Sequence, residues 1–318
     1  MNDYVVVIGA ANIDIGGSPF RELVRKDSNL GTININFGGV GRNIAHNLAS
    51  LGVPVKLISC AGNDALGQDL IKYCKKAGID TEYISISEND TSSIYLFINN
   101  KDGDMELALS HIKIENLITP EYIDSLTDII KNAALVAADA NISQAAFLRI
   151  KEICKINNKI LIVDPVSQSH SIKIKGHLDG IDIFKPNKIE AEYLTDINIE
   201  DIYDYKKAAL ALLDQGINKV FISMGKSGMF AAEKNNICIV GRYPADVKYT
   251  TGAGDAATAA LIWYYYNNRQ NSDIADAAKA ANAAAAITTE VKETNNPYLS
   301  SNSLAEKMKN NDVIITKL

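Results

Sequence analysis

Short, unbroken apolar runs alternate with helical stretches along most of the 318 residues of this chain. The first run, "YVVVIGA", is apolar at successive positions from Tyr4 to Ile8. A strand that is apolar on both faces must be covered on both, which is the condition of a parallel sheet between helical layers. In "VGRNIAHNLASLG", Ile44, Leu48 and Leu51 recur at spacings of four and three and Gly52 supplies a stop, so the stretch predicts a helix. "VKLISCAG", "AALVAAD", "KILIVDP", "DIFKPN" and "KVFISMG" read as further strands. "ALGQDLIKYCKKAG", "QAAFLRIKEICKIN" and "YKKAALALLDQG" read as helices between them, and the Ala-rich "AANAAAAITT" as a tightly packed helix. Alternation of this kind requires right-handed crossovers. The expectation is an α/β fold: a doubly wound, mostly parallel sheet flanked by helices. No repeat or linker divides the chain, so one domain over 1–318 is expected.

Two segments break the rhythm. Residues 15–37 are polar, carry glycines and a proline, and include "TININF", which alternates with period two. Residues 87–111 include "TSSIYLFINNKDGDMELALS", two strand-like runs around an Asp-Gly turn, a strong hairpin signal. Paired together, they would form a small separate sheet. Both follow ends of core strands, where ligands bind in such folds, so a lid is expected, with surface decoration as the alternative.

Charge narrows the partners. A net charge of −6 and a pI near 5.3 give no electrostatic footprint for duplex nucleic acid or an anionic membrane. No apolar run reaches the ~18 residues of a membrane span, and no basic segment precedes "YVVVIGA" to suggest a secretory signal. Cys60, Cys74, Cys154 and Cys238 are scattered, which signals neither zinc nor redox chemistry and suits a reducing, cytoplasmic compartment. His46, His111, His170 and His177 form no metal-ligand pattern. Small ligands are the expected partners.

The chemistry concentrates in a few glycine-rich stretches. "TTGAGDAATAAL", residues 250–261, leads a bare-backbone turn into a helix. Amides at the positive end of a helix make an anion site, and Gly252 and Gly254 remove side chains that would block it. Asp255 would repel phosphate, but it suits a hydroxyl whose proton it accepts during attack on phosphorus. An Asp N-cap on a helix from Ala256 fits the same letters. "NFGGVGRN" places Gly38, Gly39 and Asn43 before a helix, and Asn12 and Asp14 follow the first strand; together they suit polyol recognition, or else turns and caps. "KPNKIE" sets Asn187 and Glu190 three apart, which can organise magnesium and phosphates through water or form a cap. "SMGKSG" would let a nucleotide lie over Ser223, Gly225 and Gly228, or is a β-turn. Neither the phosphate loop G-x-x-x-x-G-K-[ST] nor the dinucleotide fingerprint is present.

In order and spacing, "GGVGRN", "DPV", "KPNKIE", "SMGKSG" and "TGAGD" resemble the ribokinase-like (PfkB) family of carbohydrate and nucleoside kinases over essentially the whole chain. Within it, "FGGVGRNIAHNLASLG", "ADANIS" and "TNNPYLS" are most similar to the members that phosphorylate pseudouridine. The resemblance implies ATP-dependent phosphorylation of that nucleoside's 5′-hydroxyl. Asp255 takes the role of base, Gly252, Ala253 and Gly254 that of anion hole, and Glu190 with Asn187 that of magnesium and phosphate organiser. Asn12, Asp14, Gly38, Gly39 and Asn43 take the ribose. Ser223, Gly225, Gly228 and Asn282 take the nucleotide, and Ser28, Thr91, Ser93 and Asn141 the uracil. A homodimer through the lid, as in some relatives, is a further implication. Two positions depart from the pattern. Tyr249 stands where many relatives carry an aspartate that helps bind potassium, which puts activation by that ion in doubt, and Leu30 stands where proline is expected. The alternatives are another sugar or nucleoside kinase of the same kind, for ribose, adenosine or inosine, and a catalytically idle ligand binder, against which an intact Asp255 and glycine loop argue.

Overall fold

The computed structural model describes residues 3–309 and 313–318. Its strands are β1 (Val5–Ile8), β2 (Asn12–Pro19), β3 (Gly31–Gly38), β4 (Val55–Gly62), β5 (Ile84–Ser87), β6 (Ile94–Asn99), β7 (Met105–His111), β8 (Leu135–Asp139), β9 (Leu161–Asp164), β10 (Ile183–Phe184), β11 (Lys219–Ser223), β12 (Met229–Glu233), β13 (Asn236–Val240) and β14 (Ile315–Lys317). Its helices are α1 (Val40–Ser50), α2 (Ala65–Lys76), α3 (Pro120–Ser125), α4 (Thr127–Lys131), α5 (Gln144–Ile156), α6 (Gln168–Ser171), α7 (Lys188–Thr195), α8 (Ile202–Asp214), α9 (Ala253–Asn267), α10 (Ile274–Thr289) and α11 (Ser301–Lys309).

The large sheet runs β14-β13-β12-β11-β10-β9-β8-β1-β4-β5, parallel from β11 to β5 and antiparallel at the β12–β14 end. Successive β1 residues show why the apolar run is continuous. Val5 and Val7 face a cluster built with α1, α2, α9 and α10; Val6 and Ile8 face a second built with α3, α5, α7 and α8. Burying one such side chain stabilises by roughly 1.5–3 kcal/mol. The chain winds outward from β1 in both directions, so the order reverses between β1 and β8, and the crevice at their carboxyl ends is where an open α/β sheet holds ligands.

The two segments that broke the rhythm pair as expected. They form a separate four-stranded sheet, β3-β2-β6-β7, with β2 and β6 parallel and the outer strands antiparallel. Register separates its faces. Asp14, Asn36 and Tyr95 share one face; Ile15, Ile35, Leu96 and Leu109 share the other. Ile33, Ile35, Leu107 and Leu109 on that apolar face are exposed.

Candidate active site

Gly252 caps α9 with φ 85°, a left-handed conformation that disfavours any side chain. A Cβ there would also lie 2.0 Å from the carbonyl oxygen of Thr294. The helix therefore starts at Ala253, and Asp255 falls in its first turn rather than at the cap. Its carboxylate Oδ2 instead accepts a hydrogen bond of 2.6 Å from Asn43 Nδ2, 212 residues away. That geometry rejects the cap alternative for Asp255. Of the expected anion-hole amides, that of Ala253 donates to Thr250 O at 3.3 Å. That of Gly254, and the Asp255 amide beside it, lie in the first turn and have no acceptor within the helix.

Three carboxylates act on one lysine here, one by contact and two through space. Lys185 Nζ, buried, pairs with Asp164 Oδ2 at 3.3 Å. Thr258 Oγ1, on α9, donates to the same Asp164 oxygen at 2.6 Å. A Cβ on Gly254 would lie 3.9 Å from Lys185 Nζ, so the ammonium abuts the glycine turn. Burial pushes the Asp255 carboxyl up to about 7, and the Asp164 charge adds to this; the Asn43 bond, Lys185 and Arg42 oppose it. Glu190 is likewise raised to about 7, by burial first and by Asp164 second. Burial works against the Lys185 ammonium, but Asp164, Glu190 and Asp255 outweigh it and hold the pKa above its ordinary value.

On the opposite side, Asn12 Nδ2 donates to Asp14 Oδ1 at 2.6 Å. Gly38 leaves room for this: a Cβ on it would lie 2.3 Å from Asp14 Oδ2. Gly39 caps α1, which carries Asn43. Asp139, at the end of β8 and buried, stitches these loops together. Its Oδ2 accepts from the amides of Ala10 (3.0 Å) and Gly41 (2.7 Å), and its Oδ1 from that of Asn141 (2.9 Å).

Ser223, Gly225, Gly228, Ala253, Gly254 and Asn282 line one cavity of about 450 Å³, within the range of small-ligand sites. It joins the expected nucleotide loop to the expected anion hole. Asn282 Nδ2 is committed to the carbonyls of Val240 and Gly241, both at 2.9 Å, so it shapes the wall and offers its oxygen. Arg242 and Lys226 also line this cavity. Asn187 and Glu190 line a neighbouring cavity of about 700 Å³. They form a reciprocal capping box on α7: Asn187 Oδ1 accepts from the Glu190 amide, and the Glu190 carboxylate accepts from the Asn187 amide and Nδ2. The cap reading of "KPNKIE" is therefore realised. Each Glu190 oxygen keeps a lone pair, and its neighbourhood is rich in negative charge. That suits magnesium held through water and phosphates rather than a cage of side chains. Among the described residues no three His, Cys, Asp or Glu side chains form a metal cluster.

The expected uracil contacts are less well gathered. Ser28 is exposed on the loop between β2 and β3, its amide bonded to Asp27. Thr91 Oγ1 lies 3.1 Å from His111 Nε2. Ser93 is buried, and its hydroxyl donates to Glu115 Oε1 at 2.5 Å and contacts His111 O at 3.2 Å. Lys173 Nζ donates to the Asn141 carbonyl. Arg42, Asp139, Asp164 and Lys185 had drawn no role from the sequence. The signal available was a charged residue closing an apolar strand, in "AAD", "IVDP" and "IFKPN", and a lone arginine amid "GGVGRN".

Comparison with known proteins bears on the family and the fold. The model of the pfkB family carbohydrate kinases matches residues 2–301. Pseudouridine kinase of Escherichia coli is 37% identical over 263 residues, covering 81% of this chain and 82% of that protein. An uncharacterized sugar kinase of the same organism is 32% identical over 303 residues, covering 95% and 82%. The crystal structure of a putative sugar kinase from Clostridium perfringens superposes with a TM-score of 0.88 at 30% identity, covering 99% of this chain and 98% of that one. The chain belongs to the pfkB family of carbohydrate kinases.

Proposed function

We propose that this kinase transfers the γ-phosphoryl group of ATP to the 5′-hydroxyl of pseudouridine, giving pseudouridine 5′-phosphate and ADP. The observation that carries the reading is the Asn43–Asp255 pair: a carboxylate with a matched pKa, on the first turn of a helix whose preceding residues line a nucleotide-sized cavity. Asp255 accepts the hydroxyl proton as the new O–P bond forms and the bond to the ADP oxygen breaks. A base that titrates near the operating pH is well suited to that role. The free first-turn amides and Lys185 stabilise the charge that develops on the moving phosphoryl group. Glu190, braced by Asn187, would hold magnesium, which would supply neutralisation of the nucleotide phosphates' charge. Asn12, Asp14, Gly38, Gly39 and Asn43 orient the ribose.

Identity to an enzyme named pseudouridine kinase supports the acceptor, and so do the "ADANIS" and "TNNPYLS" stretches. A second reading, another sugar or nucleoside acceptor such as ribose, adenosine or inosine, is favoured by the longer match to a sugar kinase. ADP release measured with pseudouridine, uridine, ribose, adenosine and inosine decides between them. Pseudouridine should give the highest kcat/KM. Preference for ribose over every nucleoside would overturn the substrate and keep the kinase; binding without ADP would favour the idle relative. The apolar outer face of the lid suits pairing with a second copy. The four cysteines are buried and unpaired, which suits a cytoplasmic setting.

A further inference from the structure

Arg42 precedes Asn43 in the first turn of α1 and is fully buried. Its Nε donates to Gly38 O at 3.2 Å, and one terminal nitrogen donates to Asn295 Oδ1 at 2.7 Å and lies 3.2 Å from His46 Nδ1. The other donates to Phe37 O and Asn43 Oδ1. Every one of these hydrogen-bond partners is neutral. A buried guanidinium without a carboxylate partner is costly; it lies over the Tyr73 ring at 5.6 Å, and Cys74, Tyr73, Asp255 and Asp14 compensate it only through space. Such a cost needs a return. Clamping the turn between β3 and α1 needs the two carbonyls alone; it does not need the bond to Asn43.

That bond decides the direction of an amide. Asn43 has one acceptor end and one donor end. Arg42 occupies the oxygen, so the nitrogen faces Asp255 at 2.6 Å. We propose that Arg42 is a positioning residue that locks the Asn43 amide with its nitrogen toward Asp255, keeping that carboxylate a hydrogen-bond acceptor, and that links the pair to the end of the lid strand. The inference rests on Asp255 being the base. The "TNNP" stretch has a place in it: Asn295 holds Arg42 and also donates to Asn43 O (3.1 Å) and Asn47 Oδ1 (3.0 Å). Phe37 and Gly38, whose carbonyls Arg42 holds, are the last residues of β3. A lid movement that pulls β3 therefore pulls the residue that orients Asn43.

The groups that act on Asp255 are Asp164 at the end of β9, Lys185 after β10, and Arg42 and Asn43 on α1. With Arg42 gone, Asn43 can turn its oxygen toward Asp255, which favours the protonated acid. The acid limb of kcat then moves to higher pH, and rate is regained in alkali. The experiment compares wild type, Arg42→Lys, Asn43→Ala and the double variant from pH 5.5 to 9, with KM for ATP at each. Arg42→Lys keeps the charge but cannot span four acceptors. It should move the limb up by about one pH unit, with the ATP KM within about twofold, and the double variant should be no slower than Asn43→Ala alone. A pH-independent loss with the limb unmoved, or additive losses, would show a mere clamp and overturn the proposal. Should Arg42→Lys fail to fold, Asn295→Ala is read the same way, since it frees one arm of Arg42. Asp255→Asn, run alongside, keeps the two readings apart. If it turns over normally the base is wrong; if it is inactive while the limb stays put, only the role of Arg42 falls.

Discussion

Asp255→Asn should make the protein slower and more stable at once, and the second effect should depend on pH. Moving this carboxyl from its ordinary 3.8 to about 7 means that the folded state holds the ionised form at a cost of up to about 4 kcal/mol, at about 1.4 kcal/mol per unit of pKa. An acid whose folded pKa is raised carries no such penalty below its unfolded 3.8; the penalty builds as pH rises from there and is complete above about 7. Asparagine keeps an acceptor for Asn43 Nδ2 but leaves Lys185 one anion fewer, so about half should be recovered. A gain of about 2 kcal/mol at pH 8.5 corresponds to a rise in Tm of about 3 °C. At pH 5.5 the unfolded carboxyl is ionised while the folded one is protonated, so about half of the penalty remains and the gain should fall to about 1 kcal/mol. Loss of the base should cut turnover by about 10²–10⁴-fold. The assays are ADP release and thermal melts at the two pH values. Turnover within about tenfold of wild type, about 1.4 kcal/mol, would reject the base. An equal Tm change at both pH values would show that the carboxylate is not held at a cost.

Three other expectations follow from the same geometry. The wild-type rate should fall about tenfold per pH unit on the acid side of about 7, since the proposed base, Asp255, must be ionised to act; a profile flat to pH 5.5 would contradict this. Gly252→Ala should destabilise by at least about 1–3 kcal/mol, because alanine must adopt φ 85° and meet Thr294 O; urea unfolding reads it, and an unchanged midpoint would show that the turn relaxes freely. Tyr249 should leave the rate insensitive to potassium, which equal rates in potassium and sodium chloride would bear out and strong activation would refute.

The layers, the small separate sheet and the glycine loops were legible because their signals are local: apolar runs, an Asp-Gly turn, a bare backbone before a helix. The buried charges were not. Asp139 meets Ala10 across 129 residues, Thr258 meets Asp164 across 94 and Arg42 meets Asn295 across 253. Such a contact leaves a lone charged letter at one end, an uncharged one at the other, and no period between them. "IVDP" and "IFKPN" showed where charge enters the core, not that Asp164 and Lys185 would share it. The "KPNKIE" pair had two readings, cap or phosphate organiser, and the fold shows why spacing could not choose. The capping box that starts α7 is the device that fixes the Glu190 carboxylate beside its cavity.

Lys185 is the counter-charge that Asp164, Asp255 and Glu190 share, and this makes its loss a sharper test of the site than the loss of any one carboxylate. Pairing with Asp164 at 3.3 Å satisfies one of the three directly; the other two feel the ammonium through space and still sit at about 7. Lys185→Met removes the cation and leaves three acids around an apolar side chain. Breaking a buried pair in this way costs about 3–5 kcal/mol. The remaining acids can limit that cost by taking up protons, which they do more readily as pH falls. The destabilisation should therefore be larger at pH 8.5 than at pH 6, and the acid limb of whatever activity remains should move upward, because Asp255 loses a group that held it ionised. Urea midpoints at the two pH values measure the first effect and a pH–rate profile the second. A loss of stability independent of pH would mean that Lys185 serves Asp164 alone, and that the three carboxylates are not one electrostatic unit.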